Sequence, residues 1–186
     1  MRQLLKLHPD SRSFAAATIE VEVAHPRADS LVLSYIVIGK MSDLRMPPVI
    51  PAARSDELWR HTCFEAFLRA SSGPAYYEFN FAPSTQWAAY QFNSYRSGMR
   101  AAAEVSQPQI EVCSSPDRYT LQASLELDRL SALPRNVVWH LGLSALIEDT
   151  GGGKSCWALA HPPGKPDFHH ADCFMYEFSP TVTVQS

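Results

Sequence analysis

The chain has 186 residues, of which 46% are hydrophobic and 19% charged, and its formal net charge is −3. A chain of this size buries roughly 70% of its unfolded surface, enough for a core without disulfide or metal staples. The charge gives no electrostatic reason to bind nucleic acid or an anionic membrane, and no stretch approaches the ~18 consecutive apolar residues of a spanning helix.

The chain opens with "MRQLLKLHPDSRSF". Its apolar run is too short for a signal peptide and lacks a small-residue cleavage site, so a cytoplasmic location is expected. Cys63, Cys113, Cys156 and Cys173 are widely spaced with no CxxC pair, which predicts reduced and mostly buried thiols. Strand signals then dominate. "TIEVEVA" (18–24) alternates cleanly, and "SLVLSYIVIG" (30–39) is rich in β-branched and aromatic residues. "TCFEAFLRA" (62–70), "AYYEFNFAP" (75–83) and "QWAAYQFN" (86–93) follow, then "QIEVC" (109–113), "RYTLQASLEL" (118–127), "VVWHLGLSALIE" (137–148), "SCWALA" (155–160) and "TVTVQ" (181–185). Gly, Pro, Ser or Asp clusters separate them. The spacing predicts an all-β fold, an antiparallel β-sandwich of about ten strands, with 1–186 as one domain. Helical signal is confined to "LDRLSALP" (127–134) and "DELWRHT" (56–62). The segment 39–58 holds three prolines and no period, the composition of a functional or disordered loop.

The middle of the chain carries most of the information. An antiparallel hairpin with Arg69 opposite Tyr76 pairs Phe67 with Glu78 and Glu65 with Asn80. Side chains alternate between faces, so Phe64, Ala66, Leu68, Tyr77, Phe79 and Phe81 form the core side. For the next hairpin the expected register places Asn80 opposite Ala89 and Glu78 opposite Gln91, with Tyr90 and Phe92 in the core. Glu65, Glu78, Asn80, Trp87 and Gln91 then share one face. Carboxylates and amides hydrogen-bond hydroxyl groups, and an aromatic ring covers an apolar C–H face, so this set suits a polyhydroxylated ligand. Alternatively, these groups satisfy one another beneath the 39–58 loop.

Three stretches, "LWRHTCFEAFL", "YYEFNFAPSTQWAAYQFNSYRSGM" and "WALAHPPGKPDFHHADCF", resemble the DOMON-like family, which is similar to the family-nine carbohydrate-binding modules. The resemblance spans about residues 1 to 180. It implies a β-sandwich with a ligand site on one sheet face, where related modules hold sugars or haem, and it does not imply an enzyme. Carried over, the sugar-binding pattern implies a clamp of Trp59 and Trp157, with Glu65, Glu78 and Asn80 as hydrogen-bonding groups.

The stretch "HPPGKPDFHH" (161–170) places three histidines, an aspartate and a lysine in ten positions. The spacing of His161, Asp167, His169 and His170 matches no zinc motif, and no metal is expected. Its prolines suit a rigid turn, with Asp167 capping backbone N–H groups, Phe168 closing the sandwich end, and Lys165 and His169 reaching a ligand. Haem is the alternative ligand, through Met41, Met46 or Met99 with His161 or His169; without CxxCH its attachment would be non-covalent. A protein-interaction module is a third reading, with Trp59, Arg60 and Trp87 as contact residues. Catalytic motifs are absent from the sequence: there is no GxSxG, HExxH or complete phosphate loop, and "GGGK" (151–154) reads as a hairpin turn. Glu65 and Glu78 as a glycosidase pair, or a cysteine nucleophile, are weaker readings than a binding set and buried thiols. The expectation is therefore a non-catalytic module binding a sugar or related polyol.

Overall fold

The computed structural model describes residues 1–13 and 15–180; the strand expected at 181–185 lies outside them. Among the described residues there are twelve strands: β1 (Arg2–Leu7), β2 (Ala16–Ala24), β3 (Ser30–Gly39), β4 (Cys63–Ala70), β5 (Tyr76–Phe81), β6 (Trp87–Phe92), β7 (Arg100–Ala101), β8 (Gln109–Ser114), β9 (Arg118–Glu126), β10 (Trp139–Glu148), β11 (Lys154–Ala158) and β12 (Tyr176–Phe178). Of these, β1, β7 and β12 carry no clear alternation and were not expected. The segment 127–134 forms successive tight turns, with Leu130 N–H bonding the Leu127 carbonyl and Leu133 N–H that of Leu130. Within 56–62 the helical signal becomes one 3-10 turn, Leu58–Arg60.

The strands form a single curled antiparallel sheet in the order β7-β6-β5-β4-β10-β11-β1-β2-β3-β9-β8, with β12 beside β10. Strand β1 makes the fold a sandwich. Its Arg2–Leu5 half pairs with β2, and Lys6 and Leu7 pair with β11, so one strand belongs to both leaves. The leaves close on a common core. Ile19, Val21, Val23, Leu31, Leu33, Tyr35, Val37, Leu121 and Ala123 face inward from one leaf, and Phe64, Leu68, Phe79, Phe81, Trp139 and Leu143 from the other. The Tyr35 hydroxyl crosses this core and donates to the Glu65 carbonyl at 2.6 Å.

The two leaves differ on their outer sides. On the β2–β3–β9 leaf the alternate positions, Glu20, Glu22, Ser34 and Gln122, are only partly covered, the pattern of a solvated face. In β5 and β6 every residue is buried. A second apolar cluster explains this: Phe67, Tyr76, Ala88, Tyr90, Phe92 and Phe174 lie on the outer face, with Leu58, Trp59 and Phe168 packed over them.

The 39–58 segment is a strap tied along the start of β6. Ser55 N–H bonds the Trp87 carbonyl at 2.9 Å, Trp87 N–H bonds the Ala53 carbonyl at 3.1 Å, and the Arg54 guanidinium lies 4.1 Å over the Trp87 ring. At its end Glu57 takes a left-handed conformation, φ 62°, and the chain turns over the outer face. The Tyr90 hydroxyl donates to Asp56 Oδ1 at 2.8 Å and fixes that turn. Trp59 is thereby delivered above the sheet.

Candidate functional site

The site lies on the outer face of β4, β5 and β10, under a roof of three irregular segments: the 3-10 turn at 58–60, the turn at 94–99 and the segment 161–174. A cleft of ≈ 420 Å³ opens there. Glu65, Glu78, Leu146 and Cys156 form its floor. Trp59, Phe92, Phe168, Met99 and Pro166 supply apolar walls, and Arg96 and His169 complete it.

The floor follows from register. Glu65 pairs with Asn80 and Phe67 with Glu78, as the sequence predicts, so Glu65 and Glu78 lie diagonally on one face. Ser144 of β10 is opposite Glu65, and its hydroxyl donates to Glu65 Oε2 at 3.4 Å. Asn80, fully buried, donates from Nδ2 to Glu78 Oε1 at 2.7 Å. Asn80 therefore stands behind the cleft, orienting Glu78, rather than lining it. Both glutamates are almost fully covered, 4% exposed for Glu65 and 5% for Glu78. Burial raises the Glu65 carboxyl well above the ordinary range, and the neighbouring Glu78 charge adds to this. Burial also raises Glu78, to about 7, against the opposing pull of the Asn80 amide.

His169 is held by a relay. The Arg96 backbone N–H donates to the Tyr76 hydroxyl at 3.2 Å, and that hydroxyl sits 2.8 Å from His169 Nδ1. With the tyrosine donating to Nδ1, the Nε2–H of the neutral ring faces Glu78 Oε2, 3.7 Å away. Phe67, Tyr76 and Phe92 surround the imidazole edge-on. Burial, helped by the Arg96 cation, lowers its pKa to about 4, so the ring is neutral at physiological pH. Arg96 itself, left-handed at φ 51°, is engaged by Asp167 at 2.7 Å. Asp167 also accepts from the Tyr95 hydroxyl and, at 3.2 Å, from the His169 N–H.

The expected second hairpin register is off by one residue. Phe81 pairs with Trp87, Asn80 with Ala88, Glu78 with Tyr90 and Tyr77 with Gln91. Trp87 and Gln91 consequently lie on the inner side, Trp87 in the main core and Gln91 bonded to Arg100, while Tyr90 and Phe92 move to the outer face. On an open sheet, outward-facing aromatics would meet water. Here the roof covers them, so hydrophobic pattern does not discriminate between the registers. Trp157 is likewise not opposite Trp59. It pairs with Ala145 and Leu7, sits in the main core at 5% exposure, and its indole N–H bonds Ser155 Oγ at 3.0 Å. Cys156, one residue earlier, is the β11 side chain that reaches the cleft. Lys165 is exposed at the bend 163–165 and does not line the cleft.

The other residues of "HPPGKPDFHH" disperse. His161 Nε2 bonds the Lys6 carbonyl at 2.8 Å, and His170 Nδ1 accepts from the Asp172 N–H at 3.3 Å. Among the described residues no three His, Cys, Asp or Glu side chains converge as a metal site. Phe168 lines the cleft rather than closing the sandwich end. For the methionines, Met41 is buried in the core, Met46 lies in a separate cleft beside the strap, and Met99 shares the cleft with His169. The segment 151–153 is a hairpin turn closed by the Asp149 carboxylate, which accepts the Gly151 and Gly153 N–H groups. Sequence alone did not point to Arg96 or Phe92 as cleft residues, and it pointed to Met99 only as a haem ligand. Arg96 comes from a turn with no periodic signal, and its left-handed backbone is invisible in residue type.

No family model matches the chain, and no curated protein matches it by sequence. Solved structures do resemble it. A proposed carbohydrate-binding protein from Bacteroides uniformis ATCC 8492 superposes with a TM-score of 0.66 at 13% identity, over 94% of this chain and 84% of that one. A family 9 carbohydrate-binding module from Caldicellulosiruptor kristjanssonii, in complex with cellotriose, superposes with a TM-score of 0.53 at 11% identity, over 88% and 74%. At such identities the likeness is one of fold.

Proposed function

We propose that the chain is a non-catalytic carbohydrate-binding module of DOMON-like type and that the cleft under Trp59 holds the sugar. One observation carries this reading. A half-buried indole, two further aromatic walls and two oriented carboxyl groups meet in one concave site, on a fold shared with carbohydrate-binding modules. A pyranose presents apolar C–H faces and hydroxyl edges. Trp59, Phe92 and Phe168 offer apolar surface to the first, and Glu65, Glu78, Arg96 and His169 offer acceptors and donors to the second. The site is largely pre-formed: Asn80, Ser144, Tyr76 and Asp167 each hold a cleft residue in place.

The test is isothermal titration with glucose, galactose, cellobiose and cellotriose against the native chain and Trp59→Ala. Saturable heat from at least one sugar, lost or strongly reduced in the variant, supports the reading. Silence from the whole panel, or binding indifferent to Trp59→Ala, refutes it.

A further inference from the structure

We propose that this cleft selects an amino sugar, a ring bearing a protonated amine, over its neutral and acidic counterparts. The inference rests on the carbohydrate reading above and adds the charge of the ligand.

The charges that face the cleft come from its floor and its roof. Glu65 comes from β4, Glu78 from β5, and Arg96 and His169 from the roof. Cys63 and Cys156 are the thiols nearest the floor, and burial keeps both protonated. Arg96 is the cation of the lining, and Asp167 takes its guanidinium at 2.7 Å, so the two neutralise each other at the rim. His169 is a neutral ring with its Nδ1 occupied by Tyr76. Among the described residues no lysine or arginine nitrogen lies within 4.0 Å of either glutamate. The glutamates are thus a buried acidic pair with no cation in contact; Arg96 acts on both only from a distance, favouring their charged forms.

Their oxygens tell the same story. Ser144 serves Glu65 Oε2 at 3.4 Å, and Asn80 serves Glu78 Oε1 at 2.7 Å. Among the described residues Glu65 Oε1 has no hydrogen-bond donor, and the nearest to Glu78 Oε2 is His169 Nε2 at 3.7 Å, beyond normal reach. These are the two oxygens left to a ligand that enters the cleft. An ammonium group suits them. It has three N–H donors, enough for an oxygen from each glutamate, and its charge offsets theirs. A hydroxyl supplies one donor and no charge. A carboxylate would meet like charge in a poorly solvated place.

The floor also sets a proton balance. Burial, and for Glu65 the neighbouring Glu78 charge, hold both carboxyls above their ordinary range, so the pair is partly protonated near neutral pH. A bound ammonium favours the fully ionised form, so the pair releases protons to the buffer as the amine binds.

The experiment titrates glucosamine, N-acetylglucosamine, glucose, glucuronate and methylammonium at pH 7 into the full chain, each in phosphate and in MOPS buffer. Glucosamine is expected to bind about tenfold more tightly than glucose, the difference between a charge-assisted and a neutral hydrogen bond. N-acetylglucosamine should fall near or below glucose, and glucuronate should be weakest. The glucosamine heat should depend on the buffer, which reports proton release. In Glu78→Gln the glucosamine-to-glucose ratio should fall toward one; its thermal unfolding is followed alongside, and Glu65→Gln serves if that variant does not fold. Glucose binding as tightly as glucosamine overturns this inference and leaves the carbohydrate reading standing. Methylammonium binding as tightly as glucosamine overturns the role of the sugar ring, and silence from every sugar overturns both.

Discussion

Replacing Glu78 by glutamine should make the protein more stable, and increasingly so as pH rises. In the folded chain Glu78 is 5% exposed and burial moves its carboxyl from 4.5 to about 7. Between those values the folded chain holds a proton that the unfolded chain has lost. Stability from this group is therefore fully present below pH 4.5 and is lost as pH rises through about 7. The separation of the two values is worth about 3 kcal/mol. Glutamine keeps the amide oxygen that Asn80 donates to and never ionises. The difference in unfolding free energy, variant minus native, should be near zero at pH 4.5 and reach about 3 kcal/mol in favour of the variant at pH 8. The native curve alone would hide this. His169, lowered from 6.5 to about 4, makes stability rise with pH between those values and opposes Glu78 there. Taking the difference removes the His169 contribution common to both proteins. Urea unfolding at half-unit steps from pH 4.5 to 8 gives both curves. A pH-independent offset, or a variant less stable than native at pH 8, would refute the claim that this floor is desolvated.

Two further substitutions separate the site from the scaffold. Trp59→Ala should weaken sugar binding by about 1–3 kcal/mol with little change in the urea midpoint, whereas Trp157→Ala, in the core, should cost about 3–5 kcal/mol of stability; equal effects of the two on stability would contradict their placement. Gly39→Ala should destabilise by about 1–3 kcal/mol or more, because a Cβ there would fall 2.0 Å from the Ala15 carbonyl oxygen and 2.9 Å from the Ala16 Cα, backbone that cannot swing aside; a thermal midpoint unchanged from native would contradict that close approach.

Much of the fold was legible because alternation is a local signal. Strand β3 occupies 30–39 as expected, and the β4–β5 register follows from placing Phe64, Leu68, Tyr77 and Phe79 on one side. The next register was not legible, since Tyr90 and Phe92 are apolar on a face that also turns out to be covered. When both faces of a strand are buried, burial no longer names the face. Strand β1 was missed for a related reason. Its alternation is weak, with Leu5 buried and Leu4 at 59% exposure, and its pairing with two strands depends on how the sheet curls.

The site was legible in part. Trp59, Glu65, Glu78 and His169 come together, although 13 residues separate the two glutamates and a further 91 separate Glu78 from His169. The histidine-rich stretch reaches the cleft through Pro166, Phe168 and His169, while Asp167 anchors it by gripping Arg96. That Arg96–Asp167 contact joins two loops far apart in sequence, and neither loop has a period that would predict it. Trp157 illustrates the opposite error: a tryptophan beside a conspicuous motif, turned into the core by the parity of β11.

The most direct test of the central claim is the set of indole N–H resonances in a two-dimensional 15N NMR spectrum recorded during sugar titration. The chain has four tryptophans, Trp59, Trp87, Trp139 and Trp157, and the last three are buried in the main core. The account predicts a saturable shift of the Trp59 indole resonance, assigned from its loss in Trp59→Phe, with the other three nearly still. A sugar that saturates while moving the core indoles and leaving Trp59 unchanged, or no shift from any sugar, would contradict it.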